Sequence, residues 1–323
     1  MRAGVGNVIG FVVRRFVALF PVLFFVSVVT FGVTLLLPGD PALAYIGEQN
    51  VNDKVMYQAV REQLGLDQPI PVQYVKWLGR ALQGDFGHSI RTREPALDGL
   101  LARLPITLEL SILAMAVSLL IAIPVGTLSA VRPNSKLDLI GTLVAMTGVA
   151  VPDFWLAILL IYVLAVWLRV LPSSGFVPLS QGLWPNLQSM VLPALALGMG
   201  LAAIVMRQLR SSLIEVLHQE YVVVASAKGL GQTAILRRHA LKNALLPVVT
   251  VLGLQAGRLL GGAVLIETIF SLPGLGRLAT DSILFRDYPM LEGSVLILAL
   301  AVTLAALVTD ITYAALDPRI RYG

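Results

Sequence analysis

The sequence predicts an all-α polytopic membrane protein with six transmembrane helices and both termini on the cytoplasmic side. Three observations carry this. Of 323 residues, 57% are hydrophobic and only 13% charged, against about 25% charged in a soluble domain. The charge is missing in blocks. Phe16 to Gly39 and Val170 to Met206 contain no ionisable residue, Glu109 stands alone between Leu104 and Val131, and Asp153 alone between Leu139 and Leu168. A helix crosses the hydrocarbon core with about 20 predominantly apolar residues, so each block is long enough. Finally, the Lys and Arg residues punctuate these blocks, and unevenly.

The first span is expected at 14–37, following Arg14-Arg15. Ala42-Leu43-Ala44 behind it resembles a signal-peptidase site, but the apolar run exceeds the about 7–15 residues of a signal-peptide core, so the span reads as uncleaved. The second span, 104–131, stops at Arg132-Pro133-Asn134. The third, 138–168, is long enough for two pieces, and Pro152, lacking an amide hydrogen, should kink or break it. The fourth is expected at 190–214, the fifth at 243–268 and the sixth at 290–315, closed by Asp317-Pro318.

Orientation follows from the basic residues of the short loops. With the N-terminus inside, the inner segments hold Arg2, Arg14, Arg15, Arg132, Lys136, Arg207, Arg210, Lys228, Arg237, Arg238, Lys242, Arg319 and Arg321, whereas the short outer loops hold only Arg169, Arg277 and Arg286. This is the positive-inside asymmetry. The long outer segment 38–103 carries seven basic and eight acidic residues, and segments of that length translocate largely regardless of charge. It reads as a small extracytoplasmic domain, with helical spacing over Val55 to Leu64 and Val72 to Leu82 and turn signals at Gly65, Pro69 and Pro71. A 104–315 core of five helices follows, with an amphipathic cytoplasmic loop at 207–242 and a tail at 316–323.

The net charge of +5 does not point to nucleic acid, since the basic residues form no aromatic-interleaved patch. With no cysteine, thiol catalysis and zinc–cysteine sites are excluded. There is no phosphate loop, no His-Glu-x-x-His and no Gly-x-Ser-x-Gly. His88, His218 and His239 fall in three loops on two sides of the membrane, which makes a metal site from them implausible. Gly253, Gly257 and Gly261 share one helix face, a groove for close backbone approach, either within the chain or against a partner. Arg258 lies near the middle of the same span, where a charge costs at least about 2.5–3.5 kcal/mol and should face protein or water. Asp153 follows the expected break at Pro152. The two either neutralise each other as an ion pair or line a solute path. Glu267 and Asp310 lie near span ends, within reach of interfacial water.

In the cytoplasmic loop, Tyr221-Val222-Val223-Val224-Ala225-Ser226-Ala227-Lys228-Gly229-Leu230 and Arg238-His239-Ala240-Leu241-Lys242-Asn243-Ala244-Leu245-Leu246-Pro247 resemble the EAA loop of ABC importer permeases. More narrowly they resemble the dipeptide/oligopeptide/nickel branch and its B-type subunit. Leu36-Leu37-Pro38-Gly39-Asp40-Pro41-Ala42, Leu64-Gly65-Leu66-Asp67-Gln68-Pro69, Gly84-Asp85-Phe86-Gly87, Glu267-Thr268-Ile269-Phe270-Ser271-Leu272-Pro273-Gly274-Leu275-Gly276 and Asp317-Pro318-Arg319 are similar to the same family. The likeness covers essentially the whole chain.

One departure stands out. Val223, Val224 and Ala225 occupy the Glu-Ala-Ala positions, so no ionic contact is expected there. The resemblance implies a type I ABC importer transmembrane fold and a permease without an ATPase site or cofactor of its own. It further implies a C-type second permease, two ATPases holding ATP and Mg, an extracytoplasmic solute-binding protein, and a bacterial or archaeal inner membrane. A coupling helix within 221–236 would seat in the ATPase, with Tyr221, Val224, Ala225, Lys228, Gly229, Leu230, His239 and Leu241 as coupling residues. The path would run along the third, fourth and fifth spans, past Asp153 and Arg258. Glu267, Pro273 and Gly274 would help form the outer gate. The expected solute is a peptide, with nickel, a metal chelate, glutathione or an opine-like solute as alternatives. A secondary transporter would show inverted repeats with broken-helix ion sites, and neither is found. A purely structural or sensory subunit would not need the amphipathic loop.

Overall fold

The computed structural model describes residues 3–36, 39–47 and 53–316. Leu37, Pro38 and the tail Asp317-Pro318-Arg319 lie outside the described residues, as do Arg2 and Arg321. Among the described residues the fold is helical throughout, and five helices are long and apolar enough to cross a membrane. A sixth span is a bent pair. The chain falls into two compact units.

The first unit is built on Leu108–Leu272, with the chain up to Phe16 and from Val302. Its centre is helix α8, Leu183–Leu217, and α6 (Lys136–Ala150), α7 (Asp153–Leu160) and α12 (Leu246–Ile269) all pack against it. The charge-free composition of its outer two thirds is what permits this burial. Met190, Val205, Leu209 and Leu213 are fully enclosed. Gly198 lets α8 approach α5 (Ala96–Val131) backbone to backbone, since a Cβ there would stand 2.5 Å from the Ala114 carbonyl oxygen. At the other end Arg210 grips Asp138 in a two-point pair, Nε to Oδ1 at 2.6 Å and Nη2 to Oδ2 at 2.7 Å. Asp138 is 4% exposed, and its carboxylate also accepts the Asn134 amide at 2.9 Å, so the buried charge is both paired and hydrogen-bonded.

The expected break at Pro152 is present. Residue 151 turns extended (φ −82°, ψ 124°), as the residue before a proline is driven to do, and α6 and α7 diverge by 106°. Past Leu160 the helix widens into a π-turn over Ile161–Trp167. The fourth span begins earlier and ends later than the sequence suggested, so Arg207 and Arg210 ride on α8 rather than in a loop. A run of short helices follows, α9 (Glu220–Ala227), α10 (Gln232–Ile235) and α11 (Leu241–Ala244), leading into α12. Of the three glycines on one face of α12, Gly253 and Gly257 pack inside the chain, where Thr309 and Val302 fill the space of a Cβ, while Gly261 has no neighbour within 4 Å.

The second unit comprises Val17–Thr107 and Pro273–Ala301. Its small helices are α2 (Pro41–Ile46), α3 (Lys54–Leu64), α4 (Ile70–Ala81) and α13 (Leu275–Phe285). They are set against α1 (Ala3–Leu36), the start of α5 and the start of α14 (Tyr288–Leu316). Local sequence explains each start. Asp40 caps α2 through the Ala42 amide with Pro41 in the first turn, Asp53 caps α3, and Gly65 ends α3 at φ +70°. The unit holds two small cores. One is Ala42, Ile46 and Val60, the other Ala96, Leu100, Leu275, Leu278 and Met290. An aromatic cluster ties α4 to α1, with Phe31 5.6 Å from Tyr74 and 5.5 Å from Trp77 between ring centroids. The buried Asp287 carboxylate accepts the Ser89 hydroxyl and the Ile90 amide, pinning the loop before α5 to the start of α14.

The glycine contacts separate close packing from mere small-residue spacing. Gly198→Ala meets backbone that has nowhere to move, and should destabilise the fold by about 1–3 kcal/mol. Gly261→Ala meets nothing, and should be neutral or slightly stabilising through helix propensity. Thermal unfolding of the detergent-solubilised protein checks this; equal midpoints for the two variants would rule out the close approach of α8 and α5.

Candidate functional site

Two places in the first unit gather the residues that the sequence singled out. The first is the segment between α8 and α12. It is not one helix over 221–236. The chain leaves α9 at Lys228, turns through Gly229 at φ +81°, and restarts at Gln232. No atom lies within 4 Å of a Cβ built at Gly229, so glycine is required there by its backbone angle and not by crowding. Val222 and Ala225 face inward with Ile235, packed on Leu217, in a small core of their own. Ala225, expected on the contact surface, is therefore part of the support beneath it.

The opposite face is exposed and apolar. Tyr221, Val223, Val224 and Leu230 are open, with Val223 at 61%, and Lys228, Arg237, Arg238 and Lys242 stand exposed around them. His239 and Leu241 are half-buried on the returning limb. A contact absent from the sequence reading joins the two limbs: the Asn243 amide nitrogen donates to the Tyr221 hydroxyl at 2.8 Å and to the His239 carbonyl at 3.2 Å. Nothing in the local pattern signals a pairing 22 residues apart. Exposed apolar side chains among mostly basic neighbours, with Glu220 the exposed acid beside Tyr221, suit a surface that a partner covers.

The second place is a cleft where α7, α8 and α12 meet, lined by Asp153, Leu197, Gly200, Leu201, Gln255, Arg258 and Leu259. Its volume of about 10 Å³ is room for roughly one water molecule. Asp153 opens α7, where a carboxylate is favoured by the helix dipole. Its side chain lies against Gly200, whose added Cβ would be 3.1 Å from Oδ1. Among the described residues no ion pair within 4 Å joins Asp153 to Arg258. The structure thus places both on one cleft without pairing them, and Arg258 is exposed on the chain. Gln255, three residues before Arg258 on the same helix face, was legible from spacing alone but was not singled out.

The third group does not assemble as the sequence suggested. Glu267 is fully buried, not turned toward interfacial water, because the last turn of α12 folds over on itself: the Leu272 amide bonds the Glu267 carbonyl at 2.8 Å, and Gly175 donates to the Phe270 carbonyl at 2.8 Å. Asp310 pairs with Arg15 at 3.2 Å. In the second unit, half-buried Pro273 and buried Gly274 lead into α13, whose first amide, of Leu275, bonds the Thr107 hydroxyl at 2.9 Å.

Comparison with known proteins gives these surfaces a context. Residues 122–322 match the model of the binding-protein-dependent transport system inner membrane component, and residues 8–111 match the N-terminal region of the same kind of membrane component. The chain is 38% identical to the dipeptide transport system permease protein DppB of Alkalihalophilus pseudofirmus, over 97% of this chain and 100% of that one. It is 40% identical to the glutathione transport system permease protein GsiC of Escherichia coli K12, over 97% and 99%. Among solved structures, the inward-facing MetNI methionine ABC transporter shares the fold, with a TM-score of 0.57 and 20% identity over 68% of this chain and 96% of that one. The chain is therefore a multi-pass membrane protein of the binding-protein-dependent transport family, a permease subunit of an ABC importer.

Proposed function

We propose that this permease imports short peptides across the bacterial or archaeal inner membrane. In this reading it works with a second, C-type permease, two ATPases that bind ATP and Mg, and an extracytoplasmic solute-binding protein. The observation that carries it is the exposed apolar and basic face of residues 218–244, on a chain that aligns end to end with dipeptide and glutathione permeases. In a lone chain that face would leave Val223, Val224 and Leu230 in water. Seated in an ATPase groove, it buries them, and Lys228 with Arg237 and Arg238 meets acidic partner surface.

The mechanism follows from what the segment connects. One limb is continuous with α8 and the other with α12, two of the three helices that form the Asp153–Arg258 cleft. Closure of the ATPase dimer on ATP would displace the segment, and with it the helices lining the path. The cleft of about one water is too small for a peptide, so the path forms against the second permease, with Arg258 and Gln255 facing it. Arg258 offers a fixed cation to a solute carboxylate in transit. Glu267 orders the end of α12 from within the protein, beside an outer gate to which Pro273 and Gly274 contribute. Glutathione is the second reading of the solute, favoured by the 40% identity to GsiC and by its carboxylates, which suit the same arginine.

Three measurements test this. Purification of the tagged chain in mild detergent should recover a second six-span permease and phosphate-loop ATPases; recovery of the chain alone, with uptake insensitive to ATP depletion, would overturn the assignment. Gly229→Glu forces a side chain into a left-handed angle and adds an acid to a basic surface. It should uncouple ATP hydrolysis from uptake in proteoliposomes, and wild-type coupling would refute the placement of the coupling segment. Arg258→Ala should slow uptake of anionic peptides about tenfold, the worth of one charged hydrogen bond, and leave neutral ones nearly unchanged; equal effects on both would remove the arginine from solute selection.

A further inference from the structure

The largest cavity described lies elsewhere, wholly within the second unit. Its volume is about 600 Å³, and α1, α2, α3, α4, the loop around Asp85–Ile90 and the start of α14 enclose it. That is the size range of sites for small organic ligands. Neither the coupling segment nor the Asp153–Arg258 cleft contributes to it.

Two side chains one turn apart on α14 give the cavity its chemistry. Tyr288 is 7% exposed, and its hydroxyl, buried at the cavity wall, has no hydrogen-bond partner among the described residues. A buried hydroxyl without a partner costs stability unless something in the cavity satisfies it. Glu292, four residues on and so on the same helix face, also lines the wall. One carboxylate oxygen accepts the Thr34 hydroxyl at 3.0 Å, the Trp77 indole N–H also donates to this carboxylate, and Arg80 attracts it from beyond ion-pair distance. A carboxylate has about four acceptor positions, so these donors leave room for an entering ammonium to make a charge-assisted hydrogen bond.

The other walls suit a cation on an apolar body. Phe86 and the almost fully buried Trp77 supply aromatic surface, the Tyr45 ring being already covered by the Arg93 guanidinium at 4.6 Å, and aromatic faces attract an ammonium. The remaining lining charges are Asp40, Asp85, Arg61 and Arg80, with His88. Arg61 is engaged by Asp40 and the Tyr57 hydroxyl. Arg80 and His88 are exposed at the rim. The deep wall is thus acidic and aromatic, while a cation at the edge leaves room for an anionic group on the same ligand.

We propose that this cavity is a binding site for a small molecule bearing a primary ammonium on an aromatic or aliphatic body, with the ammonium at Glu292 and a polar group at the Tyr288 hydroxyl. A water-soluble amine and the head of an ethanolamine lipid share this chemistry. The site is independent of the translocation path, and it stands or falls separately from the proposed solute.

The test uses the assembled importer in a nonionic maltoside detergent, without its binding protein, and 2-phenylethylamine as probe, followed by saturation-transfer NMR. Binding should saturate, 2-phenylethanol should not compete, and Glu292→Gln should weaken binding about tenfold or more, as expected on removing one partner of an enclosed charge pair. Tyr288→Phe should weaken it less, and Arg258→Ala should not change it. Should Glu292→Gln fail to assemble, Tyr288→Phe and Trp77→Leu carry the test. Equal binding of amine and alcohol, wild-type affinity in the Glu292 and Tyr288 variants, or loss in Arg258→Ala would overturn the site. Added phosphatidylethanolamine that displaces the probe identifies a lipid head as occupant, whereas undisturbed binding assigns a soluble amine.

Discussion

Hydrocarbon offers the peptide backbone no hydrogen-bond partner, and the architecture of the first unit follows from that single constraint. Each span must be helical along its length, and where the chain departs from helix at depth, the departure must face protein or water. The one large departure is at Val151–Pro152. The Val151 amide still bonds back to Thr147 at 2.9 Å, and the Pro152 carbonyl accepts the Trp155 and Leu156 amides at 3.0 and 3.1 Å. The bend thus loses few hydrogen bonds. It nevertheless places a proline, a helix N-terminus and the Asp153 carboxylate on one side of α8, the side on which α12 presents Gln255 and Arg258. Polar groups concentrate on that side of the helix cluster.

The same economy governs the packing. Helices inside a membrane gain little from the hydrophobic effect and depend on close contact. Gly198 against Ala114, and Gly253 and Gly257 against α14, provide that contact. The ends of the helices are held by charge instead. Asp138 and Arg210 close the end of α6 on α8, and Asp287 gathers the loop before α5. Tight small-residue contacts along the spans and satisfied polar pairs at their ends give α8 a fixed setting. The run of short helices beyond it is held by the Tyr221–Asn243 hydrogen bond and by the small core of Val222, Ala225 and Ile235.

The sequence was most legible where one physical rule acts alone. Blocks free of charge marked the spans, Pro152 marked the bend, and Gly65 and Pro69 marked the helix boundaries of segment 38–103, whereas the Asp53 cap came only with the structure. The coupling segment was legible as a motif, but its interior was not. Gly229 splits it because of a backbone angle, and Ala225 turns inward because Leu217 and Ile235 lie beneath it. The second depends on residues of the neighbouring helices, which the local pattern does not show. Glu267 misled for the same reason, since position near a span end says nothing about a following turn that folds back and buries it. The outer cavity was invisible in the sequence, because it needs residues from six separate stretches brought together by packing.

The exposure of Arg258 has a consequence for biogenesis. A lone chain carries an exposed guanidinium on its fifth span, with the Asp153 carboxylate near but not paired, at a cost of about 2.5–3.5 kcal/mol or more if it meets lipid. Any subunit that covers it returns that cost as binding free energy, so the chain is more stable in company than alone. Orphan copies would be the ones that open, expose backbone and are degraded first.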